Sequence, residues 1–370
     1  LLVQSLRLRD FRNLAELTLS PDSRFNIIEG ANGQGKTNLL ESIYFLAALR
    51  SFRALRNAAI VRTGADEAQC EAWIDRGGVR REVSIAIGPR ARRIRLNGNT
   101  VRRLGDFFGT VNAVAFTPED VAVMRGSPGD RRAFIDRMIF NAHPGFAVEM
   151  AEYETALKNR NALVRDGEVR DRSLLEVYDH QLARCAAVIA RRRIDWLEAL
   201  REPFAATFDE IFGGGVGASV SYRPSFLDDE TPDDPGDDGL ASAMRDALEA
   251  SLRRDLQRGH TTVGPHRDDF DGAIDGRSAR EYASQGQHRS YVLSLKITEI
   301  RLSTERNGHS PILLLDDVSS ELDPARNARL FEFLSSIDGQ VFITTTDAAF
   351  VRLDRPSTRW TMAAGVLTDA

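Results

Sequence analysis

The strongest constraint on this chain is one short run, Gly30-Ala31-Asn32-Gly33-Gln34-Gly35-Lys36-Thr37. It satisfies G-x-x-x-x-G-K-[ST] in full. Its flanks are the ones such a loop requires, an apolar strand "FNIIEG" before it and a helical run "NLLESIYFLAAL" after it. The glycines let backbone N–H groups turn inward around a polyphosphate, and the helix N-terminus adds its positive end. Lys36 has the reach for β- and γ-phosphates, and Thr37 is placed to ligate Mg²⁺. The run predicts an α/β nucleotide-binding domain that holds ATP and Mg²⁺. It leaves open what the nucleotide is for, since motors, kinases, transporters and switches all carry such a cradle.

The remaining pattern is read around that anchor. The first third is β-rich. "CEAWIDRGGVRREVSIAIG" places two alternating strands around Gly77-Gly78, "RIRLNGNTVRRL" two more around Asn97-Gly98, and "TVNAVAFTP" is a strand stopped by Pro118. From about Gly129 to Phe208 apolar residues recur at three and four, broken at "NAHPG" and "RDGEVRD", so this section is helical. "FGGGVG" and the acidic "DDETPDDPGDD" (Asp228–Asp238) read as loops, the latter mobile, followed by a helix over "LASAMRDALEASLRRDLQRG". In the last third "PILLLDDV" and "QVFITTTD" are buried strands separated by the helix "PARNARLFEFLSSIDG". Strand–helix–strand spacing implies a parallel sheet. The expected architecture is thus a head formed by both chain ends (1–118 and 261–370), with a β-rich lobe and an inserted helical arm (119–260).

Composition narrows the setting. At 370 residues the chain is long enough for two or three domains. Its two cysteines, Cys70 and Cys185, show no pairing pattern or zinc spacing, which fits a reducing cytoplasm. No apolar run is long enough to span a bilayer, so no membrane partner is expected. The chain opens on Leu1 and is expected to begin just after the natural start. Net charge is -5, yet Arg50–Arg103 holds 13 arginines against 5 acids. That excess is either a basic surface for nucleic acid or a solvated charged face.

The chemistry-bearing residues follow. Asp316 ends the strand "ILLLD" and is the natural Mg²⁺ carboxylate. Asp317, pointing the other way on the strand, is the candidate to polarise the water that attacks the γ-phosphate. "YASQGQHRS" opens a helix before them and "SSELDP" follows them. Together these resemble an ABC-type ATPase head, with a signature motif (Ser284, Gln285, Gly286, Gln287), a Walker B strand and a D-loop that contributes Asp323. Ser284 N-caps its helix, whose positive end suits a γ-phosphate. In ABC-type heads that phosphate belongs to a nucleotide held by a second subunit.

Within that superfamily the chain resembles the RecF family of bacterial recombination mediators, relatives of SMC heads. The resemblance runs end to end. It rests on "LRLRDFRNL", "GANGQGKTNLLESIYFL", "FTPEDVAVMRGSPGDRRAFIDRMI", "TTVGPHRDDF", "YASQGQHRS" and "LLLDDVSSELD". It implies an ATP-dependent homodimer that binds gapped or junction DNA and works with RecR and RecO, and indirectly RecA, in recombinational repair. The implied nucleotide residues are Gly30 to Thr37, Ser284, Gly286, Gln287 and Asp323. Asp317, Lys36 and Ser284 (in trans) carry catalysis, and Thr37 and Asp316 hold the metal.

Arg12 and Asn13 lie beside the nucleotide, as contacts to it or to the opposing head, or as a plain polar strand end. His266 and Arg267 of "GPHRDD" (Gly264–Asp269) touch DNA or phosphate, or tie the arm's return to the head. Two departures from the general ABC pattern favour slow hydrolysis. "FTPEDV" offers Glu119 and Asp120 where many heads carry Gln, and "VFITTTD" offers Thr346 or Asp347 where transporters place His. The rival readings are the nucleotide subunit of a transporter and a structural SMC-like head. A small-molecule kinase has no use for "SQGQ" or "SSELD".

Overall fold

A computed structural model describes the chain apart from residues 54–56, 89–90, 169–170, 214, 229–231, 233–234, 319–321, 352, 354 and 370. In chain order, β1 (Leu2–Phe11), β2 (Leu14–Leu19) and β3 (Phe25–Glu29) precede α1 (Lys36–Ala48). Then come β4 (Ala68–Arg76), β5 (Val79–Ile87), β6 (Arg92–Leu96), β7 (Asn99–Thr100), β8 (Ala113–Phe116) and the single turn α2 (Pro118–Val121). The helical section is α3 (Pro128–Ala142), α4 (Phe146–Val164) and α5 (Arg172–Phe212). It is followed by β9 (Ala218–Tyr222), α6 (Gly236–Arg258), β10 (Phe270–Ile274), β11 (Arg277–Ser278) and α7 (Ala279–Tyr282). The chain closes with α8 (Gln285–Asn307), β12 (Ile312–Asp316), α9 (Pro324–Ser336), β13 (Val341–Thr345), β14 (Thr358–Ala363) and β15 (Val366–Asp369).

Two compact units result, one of Leu1–Val121 with Val292–Ala370 and one of Ala122–Tyr291. The first unit holds two sheets. In the order β15-β14-β3-β13-β12-β8, the strands β14, β3, β13, β12 and β8 run parallel, and β15 returns antiparallel on β14. Buried on both faces, β3, β12 and β13 read as continuous apolar runs, as parallel strands must. Helix α1 is buried almost all round, including Leu39, Leu40, Ile43, Tyr44, Phe45 and Leu46, so it lies inside this unit rather than on it. The second sheet, β2-β1-β4-β5-β6-β7, is antiparallel and alternates buried with exposed positions. Its expected turns adopt positive φ at both central residues, 61° and 83° at Gly77-Gly78 and 51° and 76° at Asn97-Gly98.

The second unit is built on α5, 41 residues long, which buries Leu182, Ala186, Ile189, Trp196, Leu200 and Phe204. Helix α3 begins with a capping box, Ser127 and Asp130 exchanging side-chain and backbone bonds, with Pro128 in its first turn. The breaks fall where Pro144 and Gly167 put them. Of the acidic segment, residues 229–231 and 233–234 lie outside the described residues. Asp237 and Asp238 sit in the first turn of α6, where carboxylates meet the positive helix end.

Two differences from the sequence reading are structural. Strands β9, β10 and β11 form a three-stranded sheet in this unit, over residues to which the sequence pattern assigns no element; β9 starts at Ala218, just after the "FGGGVG" loop. Residues 261–291, assigned to the head from sequence, cluster with the inserted unit. The reason is pairing: β10 lies along β9, and Tyr291 packs edge-on against Phe204 at 4.8 Å while donating to the Ser219 carbonyl.

Candidate functional site

The P-loop folds as its glycines allow. Gly33 and Gly35 have φ of 79° and 114°, closed to most side chains. A Cβ on Gly35 would lie 2.9 Å from Asn13 Oδ1, and one on Gly30 would lie 2.3 Å from the Met362 carbonyl oxygen. Ala31, Asn32 and Gly33 are exposed. Lys36 Nζ donates to the carbonyls of Gly30 at 2.5 Å and Ala31 at 3.0 Å, bonds that a phosphate oxygen can replace. Burial pulls the Lys36 amine down, against the upward pull of Asp317 and Asp316.

Thr37 and Asp316 meet from opposite ends of the chain. Thr37 Oγ1 donates to Asp316 Oδ1 at 2.7 Å, and Thr344 Oγ1 donates to the same oxygen at 2.8 Å. Burial pushes the Asp316 carboxyl up, and the two hydroxyl bonds oppose it. A hydroxyl and a carboxylate oxygen in contact, opening onto a phosphate cradle, are hard donors that fit Mg²⁺. That ion takes one or two protein ligands plus substrate phosphates rather than an all-protein cage. Among the described residues no cluster of three or more acids, histidines or cysteines offers such a cage.

Asp317 is not a strand residue. β12 ends at Asp316, and Asp317 turns into left-handed backbone at φ 52°. Its N–H donates to the carbonyl (3.2 Å) and hydroxyl (3.0 Å) of Thr344. Thr344 therefore orients both acids, and the sequence reading passed over it. Its signal is a hydroxyl, with that of Thr345, at the end of an apolar buried run.

The remaining nucleotide candidates fall as follows. Asp323 caps α9, accepting from the N–H groups of Ala325 and Arg326 at 3.1 Å each and pairing with Arg326. Ser319, Ser320 and Glu321 of the D-loop lie outside the described residues. Asp120 is buried and accepts from the Thr117 N–H at 3.0 Å. Asp347 caps a short turn through the Ala349 N–H at 2.8 Å.

The "FRN" corner braces the loop from behind. Arg12 forms a fork on the buried Glu41 of α1, at 2.9 Å and 2.7 Å, and also donates to the Ala59 carbonyl. Asn13 accepts from Asn38 at 2.7 Å and donates to the Gln34 carbonyl at 3.3 Å. In this structure both side chains serve the chain's own loop and helix.

In the other unit, Ser284 and Gln287 form a reciprocal cap. The Gln287 N–H donates to Ser284 Oγ at 3.2 Å, and the Ser284 N–H donates to Gln287 Oε1 at 2.8 Å. Ser284 is exposed, while Gly286 and Gln287 are half-buried.

"GPHRDD" is an internal hub. His266 bonds Tyr153 Oη at 2.6 Å through Nδ1 and the Thr261 carbonyl at 3.1 Å through Nε2, and burial pulls it down to about 4. Buried Asp268 accepts from Tyr222 Oη (2.6 Å), the Ser225 N–H (2.9 Å) and Arg193 (3.2 Å). Asp269 receives a fork from Arg131 at 2.7 Å and 2.6 Å. These bonds tie the return segment to α3, α4, α5 and β9, whereas Arg267 is exposed.

The arginine-rich stretch is spread out. Arg92 donates to the Leu49 carbonyl, Arg76 to the Gly109 carbonyl, Arg62 pairs with Asp10 and Arg93 with Glu67, and Arg80 stacks 4.3 Å over Trp73. Across the sheet Arg7 faces Glu71 and Arg9 faces Glu16, so this face is of mixed sign. No helix among the described residues is long and apolar enough to cross a membrane.

Comparison with known proteins places this geometry. A family model described as the RecF/RecN/SMC N terminal domain matches residues 2–366. The chain is 45% identical over 354 residues to the DNA replication and repair protein RecF of Myxococcus xanthus (strain DK1622), covering 94% of this chain and 91% of that protein. It is 42% identical over 352 residues to the protein of the same name from Geobacter sulfurreducens, covering 95% and 94%. A solved structure of the recombination mediator protein RecF-ATPrS in the RecFOR pathway superimposes with TM-score 0.89 at 30% identity, over 100% of this chain and 98% of that one. An Smc head bound to the C-winged helix domain of ScpA, at TM-score 0.55 and 16% identity, shares the fold.

Proposed function

From the premise that the chain belongs to the RecF/RecN/SMC N-terminal domain family, we propose that it is an ATP-driven DNA clamp of replication and repair. The observation that carries the reading is the bond between Thr37 and Asp316, 279 residues apart, at the mouth of a P-loop with Lys36 at its base. Lys36 binds the β- and γ-phosphates in place of its two loop carbonyls. The loop N–H groups and the α1 N-terminus neutralise the remaining charge. Thr37 and Asp316 would hold Mg²⁺, which when bound supplies positive charge to the β- and γ-oxygens. Asp317, aimed by the Thr344 bonds on its backbone, orients the attacking water and accepts its proton.

The exposed, capped Ser284 presents a helix N-terminus to the γ-phosphate of a nucleotide held by a second copy. Two ATPs would then close a homodimer around gapped or junction DNA. Slow hydrolysis would release it, and RecR and RecO would act with it to load RecA. Such a protein works in the cytoplasm. Asp317→Asn is expected to keep ATP binding and prolong the dimer. Ser284→Arg is expected to abolish ATP-driven dimerisation in sedimentation.

The deciding experiment is fluorescence anisotropy of a gapped duplex titrated with the protein, with and without MgATP. Tight binding only with MgATP is the expected result. Binding indifferent to ATP would separate the two activities and overturn the clamp, and no binding at all would remove DNA from the function.

A further inference from the structure

From sequence Gln34 is one of the implied nucleotide residues, and the C-terminal residues form no expected element. The structure brings them together. The turn between β14 and β15 lies against the P-loop, with the Ala364 N–H donating to Gln34 Oε1 at 2.6 Å and the Gly365 N–H donating to the Gln34 carbonyl at 2.9 Å. Asn13 Nδ2 reaches that same carbonyl at 3.3 Å. The fit is close at two glycines. A Cβ on Gly365, at φ 80°, would stand 2.7 Å from the Asn13 carbonyl oxygen, and one on Gly30 would stand 2.3 Å from that of Met362 in β14. Ala364 holds a left-handed φ of 48°, a conformation disfavoured for a residue with a Cβ and kept here by the contacts around it.

We propose that the β14–β15 turn, with Asn13, is a clamp on Gln34 that pre-orders the P-loop in its phosphate-binding conformation, making Gln34 and Gly365 positioning residues for the nucleotide. In a trans peptide the carbonyl of one residue and the N–H of the next lie in one plane and point in opposite directions. Pinning the Gln34 carbonyl outward, on the hairpin and Asn13, turns the Gly35 N–H inward. Without the pin, the loop residues must be ordered on binding, and that entropy loss appears as weaker nucleotide affinity. The affinity consequence rests on the ATP reading above, whereas the ordering of the loop does not.

Two measurements on the full chain test the clamp, amide hydrogen exchange of residues 31–36 without nucleotide and titration with a fluorescent ATP analogue plus Mg²⁺. Gly365→Ala is expected to speed exchange and weaken binding, each by about tenfold. Gln34→Leu, which removes only the acceptor for the Ala364 N–H, moves both readouts the same way by about threefold. It also keeps the test alive if Gly365→Ala fails to fold. Gly98→Ala is the comparator. It strains an equivalent positive φ of 76° with nothing within 4 Å of its Cβ, so it should lower Tm while leaving both readouts within about twofold. If Gly365→Ala and Gln34→Leu behave like Gly98→Ala, the clamp is overturned. If the unaltered chain binds no ATP, the nucleotide reading falls by itself, and the exchange rates still uphold or overturn the clamp.

Discussion

The P-loop corner and the "GPHRDD" return segment are built from the same kinds of residue and use them in opposite ways. At the corner, Lys36 rests on two loop carbonyls, Thr37 rests on Asp316, and Ala31 to Gly33 stay exposed, so a polyphosphate can replace the existing bonds. In the return segment, His266 has both ring nitrogens bonded, and Asp268 and Asp269 are held by two arginines, a tyrosine and backbone N–H groups. One region stores exchangeable bonds, and the other consumes its bonds in holding the fold. Residue type alone nominates both as binding sites. The state of the bonds separates them.

The sharpest way to break this contrast is at Arg193. Burial pulls its guanidinium down, but Asp136, Tyr222 and Asp268 outweigh that and hold it charged. Arg193→Leu leaves two carboxylates without their cation and should cost about 3–5 kcal/mol of stability in urea melts. ATP affinity should stay within about twofold. A large loss of affinity with little loss of stability would make the hub a binding site after all.

Next comes pH. His266 is held neutral in the fold at about 4, below its unfolded value of roughly 6.5. The unfolded chain therefore takes up the proton first. Stability is full above about 6.5 and falls as pH drops toward 4, by on the order of 3 kcal/mol. His266→Gln should flatten that part of the profile, and an unchanged slope would mean that His266 is not the group responsible.

At the corner, Lys36→Ala should weaken ATP by about a hundredfold with Tm nearly unchanged, because its bonds there are replaceable ones. A marked drop in Tm would instead class Lys36 with the structural groups. The smallest effect is expected at Arg93→Ala. Its partner Glu67 shares a solvated surface, and thermal melting should register less than about 0.5 kcal/mol.

Much of the fold was legible because it is local. The Gly77-Gly78 and Asn97-Gly98 turns, the breaks at Pro144 and Gly167, and the apolar runs of β3, β12 and β13 each follow from a few neighbouring residues. The strands that escaped notice, β9, β10, β11, β14 and β15, are short or half-exposed. They exist because a partner strand lies beside them. The site divides the same way. Lys36, Thr37 and Asp316 announce themselves by motif, whereas Glu41 and Gly365 carry no local signal and Thr344 only a hydroxyl on a buried strand; their roles come from bonds to Arg12, Gln34 and the Asp316–Asp317 pair.

By itself the sequence determined that this chain builds a phosphate cradle between a buried strand and a buried helix, because glycine spacing and apolar period are properties of adjacent residues. Only the tertiary structure decided which polar groups remain available to a ligand. It brought Thr37 to Asp316, closed the C-terminal turn on Gln34 and spent His266 and Asp268 on the inserted unit. Those outcomes depend on pairings between residues far apart in the chain, where hydrogen-bond partners are set by packing and not by sequence neighbours.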